Sequence, residues 1–86
     1  MSFSVERDSG KREPFGTYKY RILENRRLIA HYWHDYRGDE HGIDFVDGST
    51  ELEPLGRGSD FILGDGSEPL QLSERAVAYL TRRSTT

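Results

Sequence analysis

The sequence predicts an α+β fold: a small antiparallel β-sheet of three to five strands, open or curled, with one C-terminal helix packed on it. Three observations carry that prediction. Apolar residues alternate in short runs separated by turn dipeptides, the tail holds one capped amphipathic stretch, and 86 residues leave room for a single domain.

Residues 1–15 show no sustained period and read as a loose N-terminal arm, with a short strand at Phe3–Val5 and a turn signal at Pro14–Gly16. The domain proper is expected over residues 16–83, with 84–86 as a disordered tail. Over Thr17–Glu24, Tyr18, Tyr20 and Ile22 alternate with Lys19, Arg21 and Leu23, a half-buried strand. Asn25-Arg26-Arg27 supplies the turn, since Asn tolerates left-handed backbone.

Leu28–Tyr36 is the clearest strand. Leu28, Ala30, Tyr32, His34 and Tyr36 share one face, and Ile29, His31, Trp33 and Asp35 the other. Large side chains on both faces place it inside the sheet. Arg37–Gly42 is a polar loop, Ile43–Val46 a third strand closed by Asp47-Gly48, and Thr50–Leu52 a further strand interrupted at Pro54. Ser59–Leu63 is a compact apolar run, either strand or buried loop.

In the tail, Ser73 caps the first helical turn. Glu74 and the Arg82, Arg83 pair suit the two ends of the helix dipole. Ala76, Val77 and Leu80 form an apolar stripe, with Leu72 outside it as a staple. A helix of roughly ten residues is marginal alone in water, so the stripe must lie on the sheet.

Composition narrows the function classes. A chain of this mass exposes about 5,200 Å² when folded, a modest saving that makes self-association a natural supplement to its core. The absence of cysteine removes disulfides, zinc–thiolate sites and thiol nucleophiles. No apolar run approaches spanning length and Met1–Pro14 is polar, so the cytoplasm is the expected compartment. Charge is segregated: residues 11–37 carry a net +4, 38–74 a net −9, and 75–86 a net +3. Facing halves would neutralise one another; otherwise one face is left for a charged partner.

The densest chemistry runs from His31 to Asp44, with all three histidines, the single Trp and four carboxylates. Tyr32, Trp33, His34, Tyr36, Arg37 and His41 are the candidate binding residues, read as aromatic packing with histidines at its polar edge. His34, His41 and Asp44, with Asp35 and Asp39 nearby, are the alternative metal or acid–base set. His31 and His34 lie three apart on a strand and so point to opposite faces. A third reading pairs Lys19, Arg21, Arg26, Arg27 and Arg37 with Tyr18, Tyr20, Tyr32, Trp33 and Tyr36 for single-stranded nucleic acid.

Gly56-Arg57-Gly58-Ser59-Asp60-Phe61-Ile62-Leu63-Gly64-Asp65 resembles the Gly-Arg…Ser-Asp stretch of forkhead-associated phosphopeptide-binding domains over about ten residues. The Ser-Arg-x-His element that follows in that family is absent, and Leu72-Ser73-Glu74-Arg75 does not supply its histidine. Tight turning around a short buried segment accounts for the glycines.

No nucleophile has a base partner in sequence, so no catalytic residue is assigned and no cofactor is implied. The expectation is a non-enzymatic binding or regulatory module. Its partner would be a protein or a second copy, met at the aromatic hairpin.

Overall fold

The computed structural model describes residues 2–8, 18–35, 40–56, 60–63 and 70–84. Five strands form one antiparallel sheet in the order β1-β2-β3-β4-β5, followed by helix α1. The strands are β1 (Phe3–Arg7), β2 (Tyr18–Glu24), β3 (Arg27–His34), β4 (His41–Phe45) and β5 (Thr50–Leu52); α1 spans Glu74–Ser84. The sheet is a meander, each strand pairing with its neighbour in sequence and β3 lying at its centre. Phe3–Arg7 is thus an edge strand of the sheet, pairing Val5 with Ile22 and Arg7 with Tyr20. The rest of the expected arm (residues 9–15) and residues 85–86 of the tail lie outside the described residues.

Turn chemistry sets the register. Asn25 and Arg26 both adopt left-handed backbone, with φ of 51° and 70°, which matches the twist of a two-residue hairpin. Arg27 therefore belongs to β3, opposite Glu24, and not to the turn. The next step of the ladder is irregular: Ile22 pairs with Ala30 but Leu23 with Leu28, so Ile29 is a bulged residue. The bulge moves Ile29 onto the core, where it packs as a partly buried residue, and leaves Leu28 exposed.

β4 ends at Phe45, because Val46-Asp47-Gly48 makes the turn into β5. Gly48 takes a φ of 94°, and the Asp47 carboxylate accepts the Ser49 N–H (2.9 Å) and hydroxyl (2.6 Å). Those bonds hold the Asp47 carboxyl below the usual carboxylate range.

Core and solvent faces follow from the pleat. Val5, Tyr20, Ile22, Ala30, Tyr32 and Ile43 point to one side and are buried there with Leu55, Phe61, Ala76, Tyr79 and Leu80. Full burial of a side chain such as Ile22 or Ile43 stabilises the fold by about 2 kcal/mol. Phe61 lies in a short bridged segment, Ile62 opposite Leu72, outside the five-stranded sheet. Its ring stacks on Tyr32 with centroids 4.3 Å apart.

The helix start is capped as its sequence foretells. Ser73 Oγ accepts the Ala76 N–H at 3.1 Å and donates to the Asp60 carbonyl at 2.8 Å, tying the cap to the Phe61 segment. The buried stripe differs from the expected one. It is Ala76, Tyr79 and Leu80, and Val77 is 38% exposed. The tyrosine turns the helix: its hydroxyl donates to Glu51 on β5, and Arg83 bonds both Glu51 (3.3 Å) and Ser49 while lying 3.8 Å over the Phe45 ring. Among the described residues no helix is long and apolar enough to cross a membrane.

Candidate functional site

The β3–β4 hairpin places its aromatic and histidine residues on two separate faces. On the core face, His34 lies opposite His41 and Tyr32 opposite Ile43. The His34 Nδ1–H donates to the Asp35 carbonyl (2.7 Å), so its Nε2 accepts the Tyr20 hydroxyl (3.1 Å). The His41 Nε2–H donates to the Gly56 carbonyl (3.2 Å), so its Nδ1 accepts the Tyr32 hydroxyl (3.0 Å). The carbonyls thus fix a hydrogen on Nδ1 of His34 and on Nε2 of His41, and every ring nitrogen of the two is used.

The phenols feel the same enclosure. Burial pushes the Tyr20 hydroxyl up from its ordinary value, an effect that Arg7 opposes and Tyr18 reinforces. Burial pushes Tyr32 up further, aided by the charges of Tyr20 and Asp60. Each phenol thus keeps its proton facing an imidazole nitrogen, and rings stack around the pair. Tyr20 stacks on His34 at 5.5 Å and Tyr32 meets His41 edge-on at 5.8 Å.

The opposite face carries a different set. Arg21, His31 and Asp44 occupy one cross-strand row, and Lys19, Trp33, Gly42 and Leu52 the next. Arg21 pairs with Glu6 at 3.0 Å, and Thr50 Oγ1 donates to Asp44 at 3.0 Å. Trp33 spreads over Gly42 so closely that a Cβ there would meet the indole at 2.6 Å. Glycine thus lets the largest side chain of the hairpin lie flat on the sheet, where it stays half-buried. Leu52 beside it is 70% exposed, and Leu28 further along is 36% exposed.

The expected site residues therefore divide. Tyr32, His34 and His41 come together on the core face. Trp33 lies on the outer face, and Tyr36, Arg37 and Asp39 lie outside the described residues. His34 pairs with His41 at the start of β4 and not with Asp44, which lies opposite His31 on the outer face. His41 and Asp44, three apart on β4, point to opposite sides for the reason His31 and His34 do. Among the described residues no group of three or more His, Asp or Glu side chains gathers as a metal ligand set. Of the rings expected to stack on bases, Tyr20 and Tyr32 are buried in the core. Sequence reasoning passed over Leu52, Lys19's place beside Trp33, and Gly42; the apolar residue two before Pro54 was the available signal.

Compared with protein families, curated proteins and solved structures, the chain matches none.

Proposed function

We propose that this protein is a non-enzymatic protein-binding module whose interface is the outer face of the sheet, centred on Trp33. One observation carries the reading. α1, Leu55 and Phe61 all pack on the core face, whereas the other face presents a flat tryptophan between Lys19 and exposed Leu52. An aromatic anchor flanked by apolar and basic groups is the composition that concentrates binding energy at protein interfaces. The buried Tyr–His pairs are the support beneath it. They lock the β3–β4 hairpin from behind, each ring nitrogen taking part in a hydrogen bond within the fold.

The test is affinity capture from native lysate with wild type, Trp33→Ala and Leu52→Lys, each matched for fold by circular dichroism. A partner retained by wild type and lost by both variants supports the reading. A partner retained equally by all three, or none retained by wild type, overturns it. Because Trp33 is the single tryptophan, a blue shift of its emission on adding the purified partner checks that the ring itself is covered. A salt-sensitive shift with single-stranded DNA in place of protein would favour the nucleic-acid reading, which keeps Lys19, Arg21 and Trp33 on this face.

A further inference from the structure

We infer that the protein pairs with a second copy of itself through the end of the sheet that carries the β2–β3 and β4–β5 turns, distinct from the Trp33 face. A groove of about 340 Å³ opens there between the sheet and the last turn of α1, lined by Glu24, Ile29, Phe45, Val46, Asp47, Leu80 and Arg83. Its floor is apolar and Val46 at its edge is 64% exposed. Its charge is unbalanced. Arg83 bonds Glu51, lies on Phe45 and also acts on Asp47, so with Glu24 three carboxylates share one guanidinium there.

The complement stands beside it. Arg26, at the tip of the β2–β3 turn, is exposed and makes no ion pair among the described residues. It also holds a φ of 70° at the second turn position, where the left-handed backbone ordinarily calls for glycine. The chain thus keeps a long cationic side chain where its backbone disfavours one, a strain that a binding role explains. A groove and a protruding basic turn side by side form a self-complementary patch. A two-fold rotation carries the turn of each copy to the groove of the other, Arg26 meeting Asp47 and Glu24 over the Val46 rim.

Sedimentation equilibrium of the full chain, from about 5 to about 500 µM and at low and high salt, reads the association directly. Wild type is expected to dimerise and to dissociate as salt rises. Arg26→Glu and Asp47→Arg should each weaken the dimer by about tenfold or more, and their equimolar mixture should restore a 1:1 pair. Arg26→Gly, which relaxes the turn, and Asp47→Asn, which keeps an acceptor for Ser49, guard against misfolding. Both should stay folded and associate more weakly than wild type. Trp33→Ala should dimerise normally, which separates this surface from the proposed binding face. A wild type monomeric throughout, a reversal that leaves association unchanged, or a mixture that stays monomeric overturns the inference.

Discussion

Histidines draw attention in a short sequence because they can bind metals and move protons, yet what they do here is set by their second nitrogens. In His34 and His41 a backbone carbonyl claims one N–H, which forces the other nitrogen to accept from a tyrosine. Trp33 is decided by a neighbour in the same way, since only a glycine at position 42 leaves room for its ring. Gly42→Ala should therefore lift the indole off the sheet, red-shift its emission and cost about 1–2 kcal/mol in urea denaturation. With Trp33→Ala already present, the same substitution should cost less than about 0.5 kcal/mol; an undiminished cost would mean that the ring contact is not the cause. The opposed directions of Trp33 and His34 were legible from strand alternation. Their partners across the sheet were not, because Gly42 and Tyr20 come from other strands.

At the scale of elements, the sheet and helix follow local rules. Thr50–Leu52 and the Ser73 cap lie where composition and turn residues place them. Two departures arise where a local rule meets a tertiary choice. The bulge at Ile29 shifts one residue out of alternation, and a period-two pattern cannot show it in advance. In α1 the stripe could run through Val77 or Tyr79; the hydroxyl's bond to Glu51 on β5 selects Tyr79. The Ser73 cap also holds the Phe61 segment, so Ser73→Ala is expected to cost about 1–2 kcal/mol, at the upper end for a cap. Thermal unfolding followed by circular dichroism measures it, and a loss below about 0.3 kcal/mol would detach the cap from the core.

For the whole molecule, burial of phenols gives the fold a characteristic response to alkali. Burial raises Tyr20, Tyr32 and Tyr79, and at Tyr79 the Glu51 hydrogen bond and charge add to it. An unfolded tyrosine ionises near pH 10. A raised value in the folded state means that the folded chain holds these protons when the unfolded chain has released them. Their contribution is complete below about pH 10 and is lost as pH rises toward the folded values. Melting temperature should accordingly fall steeply above about pH 10, and the tyrosinate absorbance of these residues should appear together with unfolding. Free titration of all five tyrosines in the still-folded protein would refute this. The charge segregation along the chain resolves in part at this scale: Arg83 from the basic tail meets Glu51 from the acidic stretch. Arg26 and Asp47 are left at one end of the sheet.

The sequence by itself determined the class of fold, the hairpin turns, the central place of the His31–Trp33 strand and the capped helix. Each depends on residues within one turn or one strand of each other, where period and backbone preference act alone. The tertiary structure decided that Phe3–Arg7 joins the sheet, that Tyr20 and Tyr32 face the core, and that His34 lies opposite His41. Those outcomes rest on strand register and on which face α1 and Phe61 cover. Both are set by packing between segments far apart in the chain, so local pattern carries no record of them.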